Sequence, residues 1–209
     1  GDVYKRQDPA RLWKGSVAVL GEVAMAYGEI VSVPKDSIFY QETIRKGNDS
    51  IDVIATPGHA PHHLSFSFKQ YLFAGEVAGV HQSVPDAIYA RPATPPKFKL
   101  EISLSSLEKV IAKKPETICY GHYGLNREGL KALTIAREQL VLWAKEIGEQ
   151  LASGEENFEE KVTESLLEKD DLFSNYRYLE SDIKKREDYF IRNSIKGMKE
   201  YVESEKNSF

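Results

Sequence analysis

The stretch TPGHAPHHLSF, residues 56–66, decides how the rest of this sequence is interpreted. It contains three of the five histidines of the chain, at positions 59, 62 and 63. It follows residues 51–55, which have the composition of a short strand, and its Pro-Gly pair marks a turn. The histidines therefore lie at a strand end, where they are either metal ligands or polar residues of a surface loop.

Two more polar side chains follow predicted strands later in the chain. Glu76 comes after a predicted hairpin of residues 64–68 and 71–74, and His122 comes after a short apolar strand at residues 117–120. A glycine directly precedes each of them, as it does the first histidine of the quoted stretch, and glycine permits the close approach that such a site needs. Two imidazoles and one carboxylate at one sheet edge form a ligand set that suits zinc or iron.

Three segments resemble, in this order and spacing, the last three metal motifs of the metallo-β-lactamase-fold hydrolases: TPGHAPHH from residue 56, YLFAGEVAG from residue 71 and YGHYG from residue 120. The likeness is closest to the glyoxalase II-like branch and covers residues 8 to 125. It implies an α/β fold, with the chain forming the C-terminal half of an αββα sandwich followed by an all-helical extension.

The resemblance also implies roles for individual residues. His59 would bind one metal ion, Glu76 would bridge two, and His122 would bind the second. His63 matches a family histidine that lies near the site without being a ligand. The implied cofactor is a pair of zinc ions, with iron or manganese as alternatives.

The sequence departs from the family pattern in two ways. The bridging residue is normally Asp, and Glu76 carries one more methylene, which moves its carboxylate by about 1 Å. The H-x-H-x-D-H motif, which supplies most ligands of both metals in the family, does not occur in this chain. We expect that motif upstream of the helix that begins near Asp8, so the resemblance implies an N-terminally truncated domain.

The first seven residues fit this expectation. Residues 2–7, DVYKRQ, back-translate as GAT-GTG-TAT-AAG-AGA-CAG, a transposon end used in preparing DNA libraries. We interpret residues 1–7 as a sequence artefact and exclude them from the fold. Residues 8–125 are then a partial metallo-β-lactamase-like domain, and residues 126–209 are the helical extension.

The pattern along the chain predicts the following elements. Asp8-Pro9 starts a helix that ends at Gly28. Strands are expected at residues 38–40, 51–55, 64–68, 71–74 and 117–120, helices at 104–111, 130–151, 162–167 and 183–202, and a long proline-rich loop at 80–100. The helix around Trp143 is expected to serve in core packing or as the seam of a homodimer.

Composition limits the class of partner. The chain of 209 residues has a net charge of −4 and a pI of about 5.8, which argues against a nucleic-acid surface. No apolar run approaches the roughly 18 residues that a membrane span needs, so no membrane partner is expected. The single cysteine, Cys119, excludes an internal disulfide and favours a cytoplasmic location.

The implied activity of the full-length protein is metal-dependent hydrolysis of an ester, thioester or lactone in a small molecule. The proline-rich loop, with Tyr89, Arg91, Lys97 and Phe98, is expected to line the substrate pocket, and Arg91 could hold a carboxylate or phosphate. With only three donors for two ions, we expect this chain to bind zinc weakly and to hydrolyse nothing.

Two alternatives stay open at this point. One is a di-iron oxidoreductase on the same fold, which a glutamate in the upstream motif would indicate. The other is a non-catalytic binding protein, which an upstream segment without histidines would favour. Nucleic-acid processing also occurs on this fold, but the acidic charge argues against it.

Overall fold

The structure, a computed structural model, describes residues 8–95, 98–122, 124–154 and 156–206. The stretch that we interpret as an artefact, residues 1–7, and Lys97 of the predicted pocket lie outside these ranges. The chain divides into two units, one that ends at Glu42 and one that begins at Thr43. Each unit has its own secondary structure.

The first unit is helical. Helix α1 covers Ala10–Leu20 and α2 covers Glu22–Tyr27, followed by a short 3-10 turn at Lys35–Ser37. The expected single helix is therefore interrupted at Gly21, whose φ is +53°, and it ends at Gly28 as predicted. The predicted strand at residues 38–40 was wrong: an apolar run forms a strand only where a neighbouring strand pairs with it, and these residues join no sheet.

The second unit is built on a six-stranded sheet with the order β1-β2-β3-β4-β7-β8. Its strands are β1 (Thr43–Lys46), β2 (Asp49–Ala55), β3 (Leu64–Phe68), β4 (Tyr71–Gly75), β7 (Thr117–Tyr120) and β8 (Leu125–Asn126). Strands β1 to β4 form an antiparallel meander, β4 pairs with β7 in parallel, and β7 pairs with β8 antiparallel. The sequence therefore predicted β2, β3, β4 and β7, but missed β1, which precedes the Gly47 turn, and the two-residue β8.

Residues 80–91 form a second, two-stranded sheet, with β5 at Val80–Val84 and β6 at Ala87–Arg91. The expectation of an irregular loop over residues 80–100 was therefore wrong for residues 80–91, whereas residues 92–95, 98 and 99 are irregular as expected. Pro85 and Asp86 form the two-residue turn of this hairpin, and Asp86 has a φ of +55°. Pro85 therefore marks one tight turn and not the start of a long loop.

Four helices pack against the large sheet or against one another. They are α3 (Leu100–Ile111), α4 (Gly129–Ser153), α5 (Phe158–Lys169) and α6 (Ser181–Lys206), with a 3-10 segment at Phe173–Tyr178 before α6. Alternate residues of β4, Leu72 and Ala74, are fully buried and share one hydrophobic core with Leu107 of α3 and Leu133 of α4. The α/β class with a helical C-terminal region is thus confirmed.

The C-terminal helices belong to the same core as the sheet. Trp143 is fully buried, and its indole N–H donates to Asp170 at 2.8 Å, so its role is core packing. The domain boundary at residue 125 and a homodimer through these helices stay predictions. No helix in the described ranges is both long and apolar enough to cross a membrane.

Candidate metal centre

The sheet topology places the C-terminal ends of β2, β4 and β7 on the same side of the sheet. Strand β2 is antiparallel to β3, and β3 is antiparallel to β4, so β2 and β4 run in the same direction. Strand β7 is parallel to β4 and therefore runs the same way. His59 lies in the turn after β2, Glu76 directly follows β4, and His122 follows β7 by two residues. The chain therefore delivers all three side chains to the same edge.

Glu76 contacts both histidines through its two carboxylate oxygens. Its Oε2 contacts Nε2 of His59, and its Oε1 lies 2.7 Å from Nε2 of His122. Two contacts of hydrogen-bond length and one carboxylate separate the imidazole nitrogens, so they lie within about 8 Å of each other. The side chains of Glu76 and His59 are 23% and 31% exposed, and that of His122 is 51% exposed. The cluster is thus half-open to solvent.

Glycines allow the backbone at this edge to pack closely. Gly75 has a φ of +58°, and a Cβ at this position would collide with Nε2 of His63. Gly121 donates its N–H to the carbonyl of Gly75 at 2.9 Å, which ties the ends of β4 and β7 together. A Cβ on Gly58 would lie 2.6 Å from Oγ of Ser103 in α3. These close approaches explain the glycine before each of the three side chains.

His63 supports Glu76 and is fully engaged with the protein. Its Nδ1 donates to the carbonyl of Thr56 at 3.1 Å, and its Nε2 accepts the backbone N–H of Glu76 at 3.0 Å. Burial and the nearby charge of His59 lower the pKa of His63, which favours this neutral form. Both ring nitrogens are therefore occupied, in agreement with the expected position near the site and not in the ligand set.

His59 is oriented by a backbone carbonyl. Its Nδ1 lies 3.1 Å from the carbonyl oxygen of Ala93, which can only accept a hydrogen bond. Nδ1 therefore donates to Ala93, while Nε2 faces the carboxylate of Glu76 and donates to it. In the metal-free chain both ring nitrogens carry a proton, and a bound cation would replace the proton on Nε2.

Charge in the cluster favours an ionised carboxylate. Burial alone would raise the pKa of Glu76, but hydrogen bonds from His59 and His122 and their charges outweigh it and lower the pKa to about 2. Burial opposes the charged form of His59, but the contact with Glu76 raises its pKa overall. Both shifts describe one interaction, in which an anionic carboxylate stabilises a cation beside it.

Tyr89 and Arg91 lie elsewhere, and this corrects the expectation that they line a substrate pocket. Both are buried in the interior, at 0% and 3% exposure. The guanidinium of Arg91 donates to both carboxylate oxygens of Glu187, at 2.5 and 3.1 Å, and the hydroxyl of Tyr89 donates to the same carboxylate at 2.9 Å. Because these groups already bind Glu187, they serve the packing of α6 on β6. Phe98 differs from them: it is 3% exposed but lines a small cavity together with His59 and Glu76.

The two remaining histidines differ from each other. His62 is exposed. His81, expected on a loop, lies in β5, is 2% exposed and stacks on Tyr120 with ring centroids 4.6 Å apart. The sequence also missed Thr56 and Ala93 as partners of the site, because backbone carbonyls leave no mark in a residue pattern.

The donors of the cluster fit part of a metal centre. Imidazole nitrogen and carboxylate oxygen are zinc ligands, but a tight site uses three or four protein ligands for each ion. Within the described ranges, no group of three or more His, Cys, Asp or Glu side chains is arranged to hold a metal ion. In this structure Glu76 contacts both imidazoles directly, so a bound ion would replace these contacts.

Comparison with known proteins points to one family. The sequence profile described as Metallo-beta-lactamase superfamily matches residues 3–122. The chain is 30% identical to the metallo-beta-lactamase fold-containing protein ST1585 of Sulfurisphaera tokodaii. The match extends over 123 residues, which are 55% of this chain and 44% of that protein.

Two solved structures resemble parts of the chain. The crystal structure of ST1585 from Sulfolobus tokodaii, a metallo-beta-lactamase superfamily protein, matches with a TM-score of 0.52 and 27% identity, over 62% of this chain and 50% of that one. The metallo-beta-lactamase family protein TTHA1429 from Thermus thermophilus matches with a TM-score of 0.46 and 15% identity, over 69% and 50% of the two chains. The chain thus spans about half the length of these proteins.

Proposed function

Since the chain belongs to the metallo-beta-lactamase superfamily, whose members are generally metal-dependent hydrolases, we propose that it contributes half of a two-metal hydrolytic centre of the glyoxalase II-like type. His59 is proposed to bind one metal ion, His122 the other, and Glu76 to bridge the two. The observation that carries this proposal is the convergence of both Nε2 atoms on the single carboxylate of Glu76.

The chain's own residues would hold and orient this centre. Glu76 supplies a carboxylate that stays ionised near neutral pH, since its pKa is about 2. His63 fixes the backbone of Glu76, and Ala93 fixes the ring of His59. When bound, a pair of zinc ions would activate a water molecule and polarise the carbonyl of an ester, thioester or lactone substrate.

The described residues supply too few donors to complete two zinc sites. Three side chains shared between two ions leave each ion with one imidazole and one shared oxygen donor group, short of the three or four ligands of a tight site. A complete centre therefore needs donors beyond these three. The activity of the whole protein, its small-molecule substrate and the identity of the metal are parts of the proposal.

Zinc titration of the purified chain tests the ligand roles. We expect weak binding that dialysis removes, and we expect His59→Ala and His122→Ala each to weaken it at least about 10-fold. His62→Ala is the matched control, because His62 is an exposed histidine of the same turn. Zinc binding that neither His59→Ala nor His122→Ala changes would overturn the proposal.

Hydrolysis is tested on the longest reading frame that contains this chain. We expect turnover of thioester or lactone substrates that chelators abolish and that Glu76→Ala reduces. Metal-dependent oxidation without hydrolysis would point to the di-iron oxidoreductase, and a protein without bound metal would point to a non-catalytic binding protein.

A further inference from the structure

The C-terminal helix α6 packs against the segment that orients His59. We infer that α6 is a positioning element of the candidate metal centre and sets the orientation of the His59 imidazole through residues 92–95. The inference rests on the proposed function only in treating His59 as a metal ligand. The contacts form a chain of three links.

The first link is the buried ion pair between β6 and α6. The carboxylate of Glu187 binds Arg91 and Tyr89, and all three residues are at most 3% exposed. Arg91 also donates from Nη1 to the carbonyl of Pro92 at 3.0 Å. The start of the segment is therefore held by a charge pair that water does not reach.

The second link joins the middle of α6 to residues 92–95. The hydroxyl of Thr94 donates to the carbonyl of Ser194 at 3.1 Å, and the hydroxyl of Ser194 donates to the carbonyl of Pro92 at 3.4 Å. A Cβ on Gly197 would lie 2.5 Å from the carbonyl oxygen of Pro95, so helix and segment are in backbone contact there. The helix thus holds the residues on both sides of Ala93.

The third link is the hydrogen bond from Nδ1 of His59 to the carbonyl of Ala93, at 3.1 Å. It keeps the proton on Nδ1 and leaves Nε2 as the donor atom for a cation. Partners of this kind orient a ligand histidine, and their loss typically weakens metal affinity by about 10- to 100-fold. A shift of the Ala93 carbonyl should therefore change both the orientation of the His59 ring and its affinity for zinc.

Two glycines of the helices provide a matched pair of variants. Gly197→Ala places a methyl group against the backbone of residues 94–95 and should displace the segment. Gly148→Ala in α4 is the control, because the nearest atom to its new Cβ would be Cγ1 of Val202 at 3.8 Å, an ordinary contact. Both replace a helical glycine by alanine, so helix propensity changes alike in the two variants.

A gentler variant covers the case in which Gly197→Ala does not fold. Thr94→Val removes the hydroxyl that donates to Ser194 and keeps the shape of the side chain. Thr163→Val is its control, since Thr163 also donates its hydroxyl to a backbone carbonyl, that of Glu159, within α5.

The primary measurement is the hydrogen bond from His59 to Ala93 in the metal-free protein, from the rate at which the Nδ1 proton exchanges with water in NMR spectra at neutral pH. In the native chain this proton should exchange slowly, because the carbonyl of Ala93 accepts it. Gly197→Ala and Thr94→Val should speed its exchange, and both control variants should match the native chain. A zinc titration of the same samples should show a Kd about 10-fold higher for Gly197→Ala than for Gly148→Ala.

The outcomes separate this inference from the proposed function. A folded Gly197→Ala or Thr94→Val protein whose Nδ1 proton exchanges at the native rate would overturn positioning by α6. Faster exchange without any change in zinc affinity would confirm the positioning and overturn the ligand role of His59.

Discussion

Glu76 and Glu187 each bind two side chains through one carboxylate, but one lies at an open sheet edge and the other lies in the interior. The Glu76 side chain is 23% exposed and contacts two imidazoles. The Glu187 side chain is 4% exposed and contacts a guanidinium and a phenol. The sequence marks Glu76 by the glycine and the strand end before it, but it does not show that Glu187 binds Arg91, which is 96 residues away.

The two carboxylates differ in whether their partner side chains can give up a proton. An imidazole can lose its proton and offer a lone pair to a cation, so the contacts of Glu76 can be replaced by metal bonds. A guanidinium stays protonated and has no lone pair to offer, so Arg91 cannot become a ligand. The exposed cluster is therefore suited to binding, and the buried one to holding α6 against β6.

The largest expected effect is on stability and separates the two carboxylates. Glu187→Ala leaves the charge of Arg91 buried without its counterion and should lower the free energy of unfolding by about 3–5 kcal/mol. Urea denaturation measures the loss. Glu128→Ala is the control, since its contact with Lys131 is exposed and should contribute less than about 1 kcal/mol. Equal losses in the two variants would contradict a structural role for Glu187.

The second effect is on metal binding and concerns Glu76. Glu76→Gln keeps the size of the side chain but removes its charge, and should raise the zinc Kd at least about 10-fold. Glu76→Asp keeps the charge and matches the usual residue of the family, so it should retain most of the affinity. Isothermal titration compares the two variants. If Glu76→Gln binds zinc as tightly as Glu76→Asp does, the charge of the carboxylate does not contribute to zinc binding.

The smallest effect is a pH dependence of stability in the metal-free chain. The pKa of Glu76 falls from 4.5 to about 2 on folding, so its contribution is present above pH 4.5 and is lost as the pH falls towards 2. The pKa of His59 is raised above 6.5, so its contribution is present below 6.5 and is lost as the pH rises through the higher, folded value.

The Glu76 contact should therefore stabilise the chain most between about pH 4.5 and 6.5. Urea midpoints of the native chain and of Glu76→Ala, measured from pH 4 to 9, should differ most in this window. A difference that stays constant across the range would show that the contact does not titrate as described.

Most helices and strands follow from local pattern, and the exceptions have a common cause. The hairpin of residues 64–75 and helices α3 to α6 repeat apolar residues at the period of their own structure. Residues 38–40 have strand composition but pair with no strand, whereas β5 and β6 form around a proline that suggested a loop. Strand formation depends on a distant partner, which local composition does not specify.

The candidate ligands were likewise visible as residue types beside glycines at strand ends. Their convergence depends on β2, β4 and β7 running in the same direction, which only the pairing of the sheet establishes. The fate of Arg91 depends on Glu187, 96 residues further along the chain, and the orientation of His59 depends on a carbonyl 34 residues away. The sequence gives the chemical identity of each residue directly. Proximity and burial are decided only by the tertiary structure, because they arise from contacts between segments that are far apart in the sequence.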